Sequence, residues 1–463
     1  MGRYLRQLGE VSGVTAKRRK FWLMAATALA SSSLGISEPA LAQCSALDAS
    51  GNATCNAGTY TTPPLPPGAF PAPINYDTNN GAGGTTINLL LQSGVNVIIP
   101  AGAPGINAVN AANTTGVTLG SADIAITANG VTINNAANPG GNNQTGLRIQ
   151  SSGAATINAT NTTIDVSGID SDWAILVFAM PNLMGGPHAA SVTWSGPQLT
   201  SGGVGLPGGN ESGGIQADNR GIGNATIEAS GPITVTPGVG RSGAYGLIAH
   251  SGDSLLVPSG AGDASVTYHS GTINAFGDTP RGIVVWAQGD GSATVKTDPG
   301  TVINVSGSNN PGVVPPTLLV GAGIILQLNS ATAANGRAIT ADVASTITNF
   351  GAATPSLNFF RDPSGIRALS FADAPITINY TGPSITTQGA GGTGINALSG
   401  GGSITVNASG RINTTNGSNA VGILADSGAI LGRSSGLITD TNTITPRHTV
   451  RRDDRVGAGQ YEQ

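Results

Sequence analysis

The sequence predicts an all-β fold, a right-handed parallel β-helix (a β-solenoid) of roughly ten coils with loop insertions. Three observations predict it. A glycine followed by Ile or Leu opens the same phrase at Gly105-Ile106, Gly146-Leu147, Gly214-Ile215, Gly246-Leu247, Gly282-Ile283, Gly323-Ile324, Gly365-Ile366, Gly394-Ile395 and Gly422-Ile423. Ala174-Ile175 is a degenerate tenth, and by subtraction the openings stand 28 to 42 residues apart. A period in that range marks a repeat architecture, in which each unit buries its apolar side only against its neighbours. Composition agrees: of 463 residues 70 are Gly, while charged residues make up only 10% and aromatics 4%.

The clearest unit, residues 394–421, shows what one coil must be. Glycines separate three apolar clusters, "GINAL", "SITVNA" and "RINTT". Each is too short for an ordinary helix and alternates apolar with polar residues, as Ile404 and Val406 do around Thr405. That alternation is the period of a strand with one buried face. "ATIEASGPITVTPG" (Ala225 to Gly238) and "GSATVKTDPGTVINVSG" (Gly291 to Gly307) repeat the scheme. Glycine, Asn and Asp at the corners supply the positive φ of tight turns. Three short strands per unit, paired in parallel with the units before and after, give a column with Ile, Val and Leu inside. Longer units carry loops, such as "NNPGVVPPTLLVGA" (Asn309 to Ala322). A β-sandwich fits less well, because sandwiches do not impose a fixed Gly-Ile phase and generally use more aromatic core.

The chain divides into four segments. Residues 1–42 read as a secretory signal peptide: Lys17-Arg18-Arg19-Lys20 precede the apolar stretch Phe21 to Ile36, and Ala40-Leu41-Ala42 is an A-x-A site with cleavage between Ala42 and Gln43. The apolar run falls short of the ~20 residues that span a bilayer. Residues 43–80 hold Cys44 and Cys55, a local pair expected to form a disulfide in an exported protein, and then the Pro-rich linker "TTPPLPPGAFPAP". Residues 81–431 are the expected β-helix, and residues 432–463 a charged tail expected to be disordered. A net charge of −4 gives no broad basic face, which excludes nucleic acid as a partner.

Chemistry-bearing motifs are sparse. Gly252-Asp253-Ser254-Leu255 spells the nucleophile block of one esterase family, but the nearest candidate partners, Asp440 and His448, lack the spacing that family uses. The same stretch aligns with "GINALSGGGSI", so the repeat accounts for it. Asp165, Asp170 and Asp172 form the densest carboxylate group and are the weak catalytic candidates, since polysaccharide-cleaving β-helices use carboxylates on neighbouring coils as acid and base. Turn residues capping the strand at Trp173 are the simpler reading. His188, His250, His269 and His448 lack metal-ligand spacing, and no calcium-binding nonapeptide occurs, so neither a metal nor a cofactor is expected. Trp173 to Met180 and Phe359-Phe360-Arg361-Asp362 are the richest aromatic spots, read as packing or as a carbohydrate or receptor contact.

The basic leader, the mature start "AQCSALDASGNATCNAGTY", the Pro-rich stretch and the "GINALSGGGSITVNASG"-type coils together resemble the passenger region of autotransporters (type V secretion), of the adhesin or pertactin-like β-helical kind. The resemblance covers about Met1 to Leu431, and a short Cys44–Cys55 loop after the leader is similar to what such proteins carry. It implies an exported binding or structural rod without catalysis, whose partners are glycans or proteins on host or neighbouring cells. The C-terminal translocator barrel of that family has no counterpart here, for only 32 residues follow Leu431. The expectation is therefore a truncated passenger held in the periplasm, reaching the cell surface or medium only through a separate outer-membrane translocator. Two alternatives stay open at this point: a polysaccharide-cleaving enzyme on the same fold, and a non-functional remnant of a split autotransporter gene.

Overall fold

A computed structural model describes residues 44–61, 72–78, 84–100, 102–111, 121–135, 144–166, 172–180, 188–202, 212–236, 243–252, 262–277, 279–307, 321–329, 336–350, 363–371, 373–388, 392–415 and 420–427, and three later strands. These residues form a parallel β-helix of three sheets with 12, 11 and 13 strands, and none of them is helical. Each coil gives one strand to the first sheet, the next to the second and the next to the third. In coil 1 these are Asn52–Cys55, Gly58–Tyr60 and Ile74–Asp77. In coil 7 they are Ala264–Ser270, Thr272–Gly277 and Pro280–Ala287. Eleven coils are complete, as the 11 strands of the second sheet fix, which at ~4.8 Å per coil gives roughly 50 Å of axis.

Every Gly-Ile phrase enters the third sheet in one register. Ile74, Ile106, Leu147, Ile175, Ile215, Leu247, Ile283, Ile324, Ile366, Ile395 and Ile423 stand opposite one another from coil to coil. All belong to one continuous core that also takes in the inward side chains of the other two sheets. The first coil was hidden from a search on the phrase because Pro73 stands where the glycine would be.

The glycines of the phrase are required for room rather than for a left-handed backbone. A Cβ at Gly146 would lie 2.5 Å from the Ala174 carbonyl oxygen and 2.8 Å from the Ile164 Cγ2. At Gly214 the same atoms would be the Gly246 oxygen at 2.5 Å and the Ile233 Cγ2 at 2.9 Å. The pattern recurs at Gly246, Gly282, Gly323, Gly365 and Gly394, which face Ile273, Ile303, Ile347, Ile385 and Ile412. Each glycine thus receives the branch methyl of an isoleucine that the next coil contributes from the second sheet. Ala174 is the exception, and the second-sheet residue in the matching place is Leu199, which has no branch at Cβ; Leu199 stands between Ile164 and Ile233 in the ladder. Positive φ occurs instead at turns, among them the corners between the first and second sheets at Gly130, Gly231 and Gly271 and, among non-glycines, at Asn161 (φ 49°).

At the corner between the first and second sheets the inward row sets Trp194 between Ala159 and Ala229, Tyr268 between Ala229 and Thr297, and Tyr380 between Val343 and Ala408. Each ring keeps a polar partner: Trp194 Nε1 donates to the Thr162 oxygen (3.2 Å) and the Tyr268 hydroxyl to the Gly231 oxygen (2.9 Å). The outer faces of the first two sheets carry amide ladders, such as Asn88 to Asn52 (3.1 Å), Asn304 to Asn274 (3.0 Å) and Asn407 to Asn379 (2.8 Å), with Leu90, Phe276 and Phe350 exposed among them.

Asn52–Cys55, Gly58–Tyr60 and Ile74–Asp77, within the segment 43–80, are the three strands of coil 1, paired in parallel with coil 2 through Asn52↔Asn88, Gly58↔Val95 and Ile74↔Ile106. The Cys44–Cys55 disulfide is formed and ties the entering chain to the first strand of that coil. Three short strands of the segment 432–463 are described. Ile438–Asp440 adds to the first sheet, Val450–Arg452 to the third, and Tyr461–Glu462 pairs antiparallel with the latter. The cause is the last complete coil, whose strand edges offer unpaired N–H and C=O groups that a following segment can satisfy. Ala42 and Gln43 lie outside the described residues.

Candidate functional site on the outer face of the third sheet

The third sheet differs from its neighbours because apolar side chains on its outer face, mixed with polar and aromatic ones, are buried. In each strand the residue after the ladder aliphatic, and the one two further on, point outward. The first of these columns reads Leu176, Gln216, Ile248, Val284, Ile325, Arg367, Asn396, Leu424; the second reads Phe178, Asp218, His250, Trp286, Gln327, Leu369, Leu398, Asp426. Val284, Ile325, Leu369, Leu398 and Leu424 are buried although they lie outside the column of the helix. Two satellite clusters result, one around Tyr245, Val284, Ala322 and Ile325, the other around Leu369, Leu398, Val421 and Leu424.

Charged and aromatic groups gather on coils 4 to 7 of this face, whose third-sheet strands are Trp173–Ala179, Ser212–Asn219, Ala244–Ser251 and Pro280–Ala287. Trp173 lies across Gly213, where any Cβ would run into the indole, and stacks on Tyr245 with centroids 6.2 Å apart and planes 13° apart. The Arg281 guanidinium covers the other side, 5.0 Å from the Tyr245 centroid, and its Nη1 donates to the Tyr245 hydroxyl (3.2 Å).

At the other end of the same strands, a hydrogen-bonded chain links three successive coils. Asp218 accepts from Arg220 Nε (3.0 Å) and from His250 Nδ1 (2.9 Å), and Arg220 in turn rests over the Phe178 ring (4.9 Å). A carboxylate only accepts, so His250 carries its hydrogen on Nδ1. His250 Nε2 meets the Gln288 side-chain nitrogen at 3.0 Å, and the Trp286 ring stands 4.8 Å away. Burial pushes the Asp218 carboxyl up, but the hydrogen bonds and charges of His250 and Arg220 outweigh it and hold the group below the usual carboxylate value. With both ring nitrogens engaged, His250 is positioned as a fixed contact rather than as a free base.

Asp165 and Asp172 occupy different environments. Asp165 is on the second sheet, in the strand Thr163–Val166, half-exposed and opposite Asn134 and Thr200. Asp172 precedes the Trp173 strand of the third sheet; contrary to the solvated turn residue expected, it is fully buried and its Oδ1 accepts from the Gln144 backbone N–H (2.9 Å). Its role there is to hold one coil on the next. Arg148 lies on the outer face of the third sheet, bonded to Gln150 (3.0 Å), a sheet away from Asp165. Asp170, Asp253, Ser254, His448 and Phe359 to Asp362 lie outside the described residues, as do the side chains of Asp440. Among the described residues no group of His, Cys, Asp and Glu could hold a metal ion.

Sequence reasoning singled out Trp173 to Met180 but missed Asp218, His250 and Trp286, which are 32 and 36 residues apart by subtraction. Stacking the units on their Gly-Ile phrase would have found them, since each sits three places after the ladder aliphatic. The chain matches no protein-family model, no curated protein and no solved structure.

Proposed function

We propose that this chain is an exported β-helical binding rod, adhesin-like in the manner of an autotransporter passenger, and that coils 4 to 7 of its third sheet are the contact surface. One observation carries the reading: the side chains of Trp173, Asp218, Tyr245, His250, Arg281 and Trp286 stack on and bond to one another across coils 4 to 7 of one face. Exposed protein contacts draw on aromatic and Arg side chains in this way. The leader Lys17 to Ala42 supports export, and delivery beyond the periplasm would need a separate translocator. The glycan-cleaving alternative rested on Asp165, Asp170 and Asp172 lining one groove with Arg148; Asp165 stands on the second sheet and Arg148 on the third, and Asp170 lies outside the described residues.

The test has two readouts. N-terminal sequencing of the exported protein should give Gln43 first, and the purified chain should adhere to cell surfaces through the third sheet, so that Trp173→Ala together with Arg281→Ala lowers adhesion. A protein that stays in the cytoplasm, or that adheres equally after this double change, refutes the proposal.

A further inference from the structure

The first strand of coil 1, Asn52–Cys55, is the edge at which the first sheet begins, and the chain itself covers that edge. The Gly51 and Cys55 carbonyls accept from the Asn88 and Gln92 N–H groups of coil 2, so the backbone groups of Asn52 and Thr54 face away from the stack. Residues 44–51 take up all four of these groups. The Asp48 N–H donates to the Asn52 oxygen (2.9 Å), and Asp48 Oδ1 accepts from the Asn52 N–H (2.8 Å). The Ser45 N–H donates to the Thr54 oxygen (2.9 Å), and Ser45 Oγ accepts from the Thr54 N–H (3.0 Å). The Tyr76 hydroxyl donates to the Ser45 oxygen, Leu47 packs against the core, and the Cys44–Cys55 disulfide fastens the segment. Left uncovered, such an edge is a template for another chain.

We propose that residues 44–51 are a disulfide-fastened cap that keeps the rod single, and that their release lets two copies join coil 1 to coil 1. The partner is a second copy because the freed edge is complementary to itself. The Cys44↔Cys55 bridge shows that it takes an antiparallel neighbour. About a two-fold axis through Ala53, Asn52 of each copy faces Thr54 of the other, and such a pair exchanges both of its N–H···O bonds. Every edge group that the cap held is then satisfied again. Ala53 points inward while Asn52 and Thr54 point outward, so the two buried faces continue each other. The contact is isologous and closes at the dimer. A dithiol reductant is the trigger. It gives two electrons and two protons, the Sγ–Sγ bond breaks, Cys44 and Cys55 become thiols, and the reductant becomes a disulfide.

The experiment is sedimentation velocity of the purified chain over a range of concentrations, without dithiothreitol and with it in excess, where no disulfide forms between copies. The oxidised chain stays monomeric. The reduced chain forms dimers whose share rises with concentration and falls again on reoxidation. In the reduced chain, Ser45→Pro with Asp48→Ala removes three of the four cap bonds and moves dimerisation to a concentration at least about tenfold lower. Thr54→Pro removes an edge donor and leaves the coil 2 side intact, so the reduced variant stays monomeric with an unchanged circular dichroism spectrum. A reduced chain that stays monomeric, an oxidised chain that dimerises equally, dimers that survive Thr54→Pro, or growth past the dimer into head-to-tail fibres overturns the cap. So does melting of coil 1 on reduction, read as complete loss of amide protection at Ala53 and Cys55, which face coil 2.

Discussion

Replacing Gly323 by alanine puts one methyl group where the structure has no space for it. The new carbon would lie 2.5 Å from Ile347 Cγ2 and 2.6 Å from the Gly365 carbonyl oxygen, against an ordinary contact of 3.4–4 Å. Two coils must part by about 1 Å, because the oxygen belongs to backbone and cannot rotate away. Overpacking of this kind costs about 1–3 kcal/mol. The loss of chain freedom in the unfolded state offsets about 0.4–1 kcal/mol of it. The net change is a destabilisation of about 1–2 kcal/mol, felt mostly at coils 8 and 9. Urea unfolding followed by circular dichroism should show an earlier transition, and amide exchange should quicken in the strands Ala322–Leu328 and Ser364–Ser370. Adding Ile347→Leu removes the branch methyl but not the carbonyl contact, so it should restore part of the loss, with a coupling of about 1 kcal/mol. The natural pairing of Ala174 with Leu199 implies the converse: Leu199→Ile destabilises, and Ala174→Gly rescues it. Gly323→Ala with an unchanged transition, or a cycle without coupling, would refute the interlock.

Other outcomes follow from the same structure. The Asp218 carboxyl has a lowered pKa when folded, so its contribution to stability is present above the unfolded value of about 4 and is lost as pH falls through the folded one; the acid loss of stability measured by urea midpoints should be smaller in Asp218→Asn. Reducing the Cys44–Cys55 bond, which closes a loop of sequence separation 11, should cost up to about 3 kcal/mol in coil 1, read as faster proteolysis of the N-terminal strands. Asp172→Ala should destabilise by about 1–3 kcal/mol because the Gln144 N–H loses its acceptor, whereas Asp165→Ala should leave the unfolding midpoint in place. Tyr268 and Tyr380 are buried and their phenols are pushed up, so alkaline absorbance titration should show two tyrosines that ionise only on unfolding.

The architecture is written in the sequence because one steric requirement repeats. Wherever Ile occupies the ladder of the second sheet, glycine must precede the third-sheet aliphatic, and that pair survives every change of loop length between them. Coil 1 escaped because Pro73 interrupts the phrase, and the tail because its pairing depends on a neighbouring edge rather than on its own composition. The candidate site was harder to see for a different reason. Asp218, His250 and Gln288 meet across three coils, and nothing local to any of them marks the contact. Asp165, Asp170 and Asp172 were conspicuous because they are close in sequence, whereas Asp165 stands half-exposed on the second sheet and Asp172 is buried just before a strand of the third.

The nesting of a branched methyl into a bare backbone also sets how such a protein can change its size. Joining Gly365 directly to Ile395 would excise one winding and return Ile412 to a glycine like the one it left, with all three sheets still in phase. Removing part of a winding would set every later methyl against a filled position. Growth and shrinkage are therefore quantised, and lineages of this chain should differ in reach by whole turns while their connecting loops drift freely.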